Sequence, residues 1–199
     1  MSPAKANPKE WDVPSKSDKP MDFSGEYDKA GQTLPSLFET TFTASEGADE
    51  GALIGRLVRR LLAETPNQDM RVFTVLEGGV PVGGIFFTRI GYDADAPTVF
   101  LLAPVAIATD RQGEGLGTRL IEYGLQSLRD EGVDIAVTYG DPAFYGRAGF
   151  RPIAESDMPA PYRLQHPEGW LGQSLTETPL MSFRGPSHCV AAFRDPVYW

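Results

Sequence analysis

Gln112-Gly113-Glu114-Gly115-Leu116-Gly117-Thr118 stands between an apolar run, Thr98 to Ala108 (TVFLLAPVAIA), and a segment with Leu116, Leu120, Ile121, Gly124, Leu125 and Leu128 at helical spacing. The run predicts a strand and the recurrence an amphipathic helix. Glycines at alternate positions expose backbone N–H groups and let a ligand approach the main chain. A helix start adds unpaired donors and the positive end of a dipole. The stretch therefore reads as an anion site suited to phosphate or pyrophosphate. A purely structural turn is the alternative.

Spacing separates the ligands such a loop could take. A P-loop needs Gly-x-x-x-x-Gly-Lys-Ser/Thr, and the chain has no Gly-Lys-Ser/Thr. A dinucleotide loop needs Gly-x-Gly-x-x-Gly, and here the last gap is one residue short. Asp134 precedes its strand, Ile135 to Tyr139, where a ribose-binding acid would follow one. A third pattern, Gln/Arg-x-x-Gly-x-Gly/Ala, fits Gln112 to Gly117 without a gap. One helix and one strand later comes Gly140-Asp141-Pro142-Ala143-Phe144-Tyr145-Gly146-Arg147-Ala148-Gly149-Phe150.

The two motifs together resemble the GNAT superfamily of N-acetyltransferases, and the second is closest to a bacterial subgroup carrying GDPxYYxRxGF. The resemblance covers about residues 34–199, with nearly all its specificity in 98–151. It implies an α/β fold: a mixed, mostly antiparallel sheet with a splayed central parallel strand pair and helices on both faces. It implies acetyl-CoA as acetyl donor, and acetyl transfer to a primary amine of a small molecule or peptide. Gln112, Gly113, Gly115, Leu116, Gly117 and Thr118 would surround the cofactor phosphates. Pro104 cannot donate to a ladder and marks a bulge or break, about where the splay should begin. Val105 and Ile107 would then offer main-chain groups to pantetheine, and an N–H near Val105 or Ala106 would meet the oxyanion. Tyr145 would face the departing thiolate; its alternative is a core aromatic beside Phe144 and Phe150. Proton transfer from an unperturbed tyrosine to a thiolate is uphill by roughly 2 kcal/mol, so a hydrogen bond to sulfur is the expected role.

Other positions are less decisive. No acid or histidine lies between Thr98 and Ala108, so Glu39, Asp93 and Asp141 are the candidate bases, acting through water. Many relatives hold pantetheine with an asparagine where this chain has Gly140-Asp141-Pro142. Glu114 should point outward, with Arg111 or Arg119 compensating its charge. His166, His188 and Cys189 do not make a metal-ligand pattern, and no metal is expected.

Composition sets the frame. The chain has 199 residues, 41% of them hydrophobic, enough for one core. Residues 1–33, with Pro3, Pro8, Pro14 and Pro20, read as an irregular N-terminal extension, docked through Trp11, Phe23 and Tyr27 or mobile. Residues 34–199 read as the acetyltransferase-like domain. Ser36 to Thr43 is expected as its first strand and Ala52 to Leu62 as a helix ended by Pro66. Arg71 to Glu77 and Val82 to Ile90 are expected as a hairpin through Gly78-Gly79, with later strands at Trp170 to Thr176 and Cys189 to Phe193. A net charge of −9 argues against nucleic-acid binding. No membrane span or signal core is visible, and one cysteine fits a cytoplasmic protein. The closing Phe193 to Trp199 is expected as core packing, with a homodimer face as the alternative. Two functional alternatives stay open: a non-catalytic acyl-CoA-binding or sensing module, and an acyltransferase with a different donor or acceptor.

Overall fold

The computed structural model describes residues 20–26, 32–92, 97–183 and 185–199. Trp11, Tyr27 and Asp93 lie outside them. The sheet is built from β1 (Met21–Ser24), β2 (Met70–Glu77), β3 (Val80–Gly91), β4 (Val99–Ile107), β5 (Ile135–Tyr139), β6 (Arg151–Pro152), β7 (Trp170–Ser174) and β8 (His188–Cys189). Their order is β1-β2-β3-β4-β5-β7-β6, with β8 on the far end of β3. Among the described residues, only β4 and β5 pair in parallel. Helices α1 (Leu34–Glu46) and α2 (Ala48–Glu64) cover one face, and α3 (Leu116–Asp130) the other. The one-turn α4 is Pro142–Tyr145. The mixed, mostly antiparallel sheet with its central parallel pair and helices on both faces is the expected architecture.

Strand alternation assigns the two cores. Val99 and Leu101 face the α1–α2 side, Phe100 and Leu102 the α3 side. Leu116, Leu120, Ile121, Leu125 and Leu128 of α3 are all buried. Each contributes on the order of 1.5–3 kcal/mol. Gly132, in the left-handed region at φ 79°, ends that helix turn.

The segment from Ser36 to Thr43 is a helix, not the expected strand. Its threonines and phenylalanines favour β structure, but its buried positions Leu34, Phe38 and Thr41 follow helical spacing. Pro35 starts the helix and Gly47, at φ 101°, stops it. Cys189 to Phe193 also departs from expectation: pairing ends at Cys189, and Ala191–Phe193 is a 3₁₀ turn. Within the extension expected to be irregular, Met21–Ser24 adds an edge strand in register with Thr74–Glu77. Phe23 docks there, 5.7 Å from the Tyr123 ring and under the Arg119 guanidinium at 5.1 Å.

The feature that positions the site is a fork. The parallel pairing runs from Val99↔Ile135 to Leu102↔Thr138 and stops. Beyond it, β4 continues on β3 alone, through Val105↔Ile85, Ala106↔Gly84 and Ile107↔Gly83. Between these stretches Phe86 alone spans Ala103 and Pro104, a bulge at the residue without an N–H. Pro104 thus lies where the strands part, as expected.

Candidate active site

One side of β4 is left open by the fork. Ala108 donates its N–H to Val82 O on β3, at 2.8 Å. Backbone alternation then turns Val105 and Ile107 the other way, into the gap. The Gln112 side-chain amide donates to Ile107 O at 3.0 Å and closes the start of the loop. Gly113 and Gly115 sit at φ 77° and 76°, a conformation side chains rarely adopt. Among the described residues, no hydrogen bond to a protein acceptor is seen from the N–H groups of Gly113, Gly115, Leu116, Gly117 and Thr118. Such donors at a helix start, with the positive end of its dipole, suit an anion.

The fork and loop open into a cleft of about 1060 Å³. All ten residues expected at a site line it: Val105, Ala106, Ile107, Gln112, Gly113, Gly115, Leu116, Gly117, Thr118 and Tyr145. The same cleft is lined by Phe42, Glu46, Glu50 and Leu53 at the α1–α2 junction, and by Phe193, Tyr198 and Trp199 of the C-terminal segment. The Arg60 guanidinium holds that segment, donating to Ala191 O and Ala192 O at 3.0 and 3.1 Å. Phe193 and Trp199 are core residues as well as wall.

Tyr145 is both core aromatic and cleft residue. Its ring lies 5.0 Å from Phe144 and 6.0 Å from Phe150, edge-on, and the residue is 9% exposed. A Cβ on Gly140 would come within 2.7 Å of the ring, so only glycine admits the tyrosine there. Burial pushes the phenol up to about 12; the Thr138 hydroxyl works against that shift, and Asp141 adds to it.

Arg111 lines the cleft, but its guanidinium donates to both Glu77 carboxylate oxygens, at 2.9 and 3.2 Å, and to Asp110 at 3.1 Å. The Arg111–Glu77 pair is mostly shielded, with side chains 20% and 11% exposed, so this cation is already neutralised. Arg119 is engaged with Phe23. Glu114 is not among the lining residues.

Of the expected bases, Glu39 pairs with Arg59 at 3.0 Å and does not line the cleft. Asp141 lines it but caps α4, accepting from Ala143 N–H at 2.8 Å. The acids that sequence reasoning missed are Glu46 and Glu50, either side of Gly47. Burial, then the neighbouring Glu46 charge, raises the Glu50 pKa. The signal available was the acidic start of α2, Asp49-Glu50, which marks a helix N-terminus. His166 is on the cleft rim, its backbone N–H donating to the Tyr139 hydroxyl at 2.7 Å. His188 and Cys189 are in β8. Among the described residues no three His, Cys, Asp or Glu gather as a metal site, and no helix is long and apolar enough to cross a membrane.

A parallel strand pair that parts beside a glycine loop defines the N-acetyltransferase fold class implied by the two motifs. The chain belongs to the Acetyltransferase (GNAT) family, whose description fits residues 34–150. It is similar to the Escherichia coli K12 protein named uncharacterized N-acetyltransferase YjhQ, 39% identical over 116 residues. That match spans 56% of this chain and 64% of the relative. Uncharacterized N-acetyltransferase YhbS of the same organism is 34% identical over 80 residues, 40% of this chain and 48% of the relative. Among solved structures, Escherichia coli YhbS in complex with CoA superposes with a TM-score of 0.76 at 21% identity, over 91% of this chain and 96% of that one. A Brucella melitensis family member in complex with acetyl-CoA gives 0.65 at 23% identity, over 88% and 99%. These likenesses establish the fold.

Proposed function

We propose that this chain is an N-acetyltransferase that moves the acetyl group of acetyl-CoA to a primary amine of a small molecule or peptide. The observation that carries the reading is the fork: beyond the last parallel rung, Val105 and Ile107 turn main chain away from β3 into a cleft that the glycine loop and Tyr145 also line. CoA and acetyl-CoA bound to structural neighbours of the same fold support the choice of donor.

Each part has a chemical task. The N–H groups of Gly113, Gly115, Leu116, Gly117 and Thr118 take the pyrophosphate. The Val105 and Ile107 main chain pairs with the pantetheine amide in the manner of an added strand. The amine nitrogen attacks the thioester carbonyl, its oxygen becomes an oxyanion, and alternation makes the Val105 N–H its donor. Collapse breaks the C–S bond. Tyr145 receives the thiolate as a neutral donor: with the phenol at about 12 and a thiol near 8.5, full proton transfer would be uphill by about 5 kcal/mol. Glu50, raised toward a better base and lining the same cleft, takes the ammonium proton through water. Glu46 holds the remaining positive charge of a cationic acceptor.

The test is single-turnover release of free thiol from acetyl-CoA across a panel of primary amines, beside calorimetric titration with acetyl-CoA alone. Transfer to a subset of cationic amines, with saturable acetyl-CoA binding, is expected. Saturable binding with no transfer to any amine would make the chain a sensing module and overturn the enzymatic reading.

A further inference from the structure

Among the described residues, two arginines line the cleft, Arg111 and Arg147. Arg111 is committed to Glu77 and Asp110. Arg147 is exposed, and among the described residues its side chain has no hydrogen bond or ion pair. It sits on the 3₁₀ turn Gly146–Ala148, two residues past Tyr145, at the arginine of the second motif. A Cβ on Gly117 would stand 3.4 Å from the Phe144 ring, so the segment leading into that turn packs on the first turn of α3. Arg147 therefore belongs to the end of the cleft that carries the glycine loop. Asp141, which lines the same end, is occupied as the cap of α4, accepting from Ala143 N–H at 2.8 Å. In a chain of net charge −9, an uncompensated guanidinium at this place is a local attraction for an anion.

Acetyl-CoA presents two separate phosphate groups, the pyrophosphate and a phosphomonoester on the 3′ oxygen of its ribose. Main-chain N–H groups at the glycine loop suit the first. The second is close to dianionic at neutral pH and lies at the nucleotide end of the donor, away from the thioester. We propose that Arg147 binds this ribose phosphate, so that the chain discriminates acetyl-CoA from the same thioester lacking the 3′-phosphate. The inference rests on acetyl-CoA as the donor and on the pyrophosphate lying at the glycine loop. The planar guanidinium can meet two phosphate oxygens at once. Its exposure puts it at the rim, where a terminal phosphate sits, and not in the fork that takes pantetheine. The structure gives Arg147 no competing partner to release first.

The test is calorimetric titration of acetyl-CoA, and of acetyl-CoA lacking the 3′-phosphate, into wild type, Arg147→Gln and Arg147→Lys at low and high salt. Wild type should prefer acetyl-CoA by about tenfold, the worth of an exposed charge-assisted contact. Salt should shrink that preference, because an exposed pair is screened. Arg147→Gln should bind acetyl-CoA as weakly as wild type binds the dephosphorylated donor, and its affinity for the dephosphorylated donor should stay within about twofold of wild type. Arg147→Lys keeps the charge without the fork and should retain part of the preference. Equal affinity of wild type for the two donors, or equal weakening of both in Arg147→Gln, would overturn the inference and leave acetyl-CoA as the donor. No saturable binding of either donor by wild type would overturn both. Arg147→Ala repeats the measurement if the glutamine variant does not fold. Unfolding of both would make Arg147 a stability residue and refute the binding role.

Discussion

Replacing Tyr145 by phenylalanine removes one oxygen from a ring that the structure holds on three sides, by Phe144, Phe150 and the Gly140 backbone. The packing survives. Removing the buried hydroxyl should shift the melting temperature by no more than about 2–4 °C, the equivalent of about 1 kcal/mol. The transition state loses more. A neutral hydroxyl donating to a thiolate is worth about 1.5–3 kcal/mol, so turnover should fall by about 10- to 150-fold. Acetyl-CoA affinity should change by less than about twofold, because the thioester sulfur carries no charge before attack.

The pH dependence separates a neutral donor from a general acid. Burial raises the phenol from the ordinary 10.0 to about 12, so the proton stays on Tyr145 throughout the working range. The ratio of wild-type to Tyr145→Phe rates should be flat below about pH 10. The same shift has a thermodynamic consequence. The unfolded tyrosine ionises near 10 and the folded one near 12, so the stability tied to the neutral phenol is complete below pH 10 and is lost as pH climbs toward 12. The assay is single-turnover acetyl transfer at saturating amine from pH 6 to 10, with thermal melts carried to higher pH. Equal rates for the two proteins would refute a role for the hydroxyl. A rate ratio that breaks between about pH 8 and 9 would refute the neutral-donor argument and reinstate proton transfer.

Two further substitutions probe the ends of the cleft. Gly117→Glu directs a carboxylate from the first turn of α3 into the space beside Phe144 and Ile107, 3.4 and 3.6 Å from the new Cβ. Losing two charge-assisted phosphate bonds should weaken acetyl-CoA binding more than about a hundredfold in calorimetry, and an unchanged affinity in a folded variant would contradict the anion site. Glu50→Gln removes the acceptor-side base and should lower kcat/KM for cationic amines by about 10- to 100-fold while acetyl-CoA affinity holds. An unaltered pH–rate profile in that variant would assign the base elsewhere.

The parts of this molecule that could be read from the chain are those in which main chain does the work at short sequence range. Gly113, Gly115 and Gly117 declare a backbone conformation and a close approach, and the change from strand-like apolar run to helical spacing around them admits few folds. Pro104 declares a break in pairing, and the bulge against Phe86 is that break. The first helix was not legible, because Phe38, Thr40, Thr41, Phe42 and Thr43 favour a strand while packing on the sheet imposes the spacing of Leu34, Phe38 and Thr41. That error hid the junction at Gly47, and with it Glu46 and Glu50.

The remaining difference lies in how the two ends of the cleft are made. The donor end draws on residues 103–118 and 139–147, two segments joined by one helix and one strand, so its geometry follows from local rules. The acceptor end draws on residues 41–57, 165–166 and 193–199, and nothing in any one of these segments refers to the others. Arg111 shows the same limit within the donor end: its partner Glu77 is 34 positions away, and that pairing makes the cation expected to compensate Glu114 a brace between loop and hairpin. A cofactor held by backbone amides imposes the same glycines wherever it binds, whereas an acceptor is met by side chains that any exposed helix end or terminal segment can supply. The donor is therefore written in a motif. On the proposed reading the acceptor is met by Glu46, Glu50, Tyr198 and Trp199, which line one cleft only once the sheet has brought α1, α2 and the C-terminal segment together.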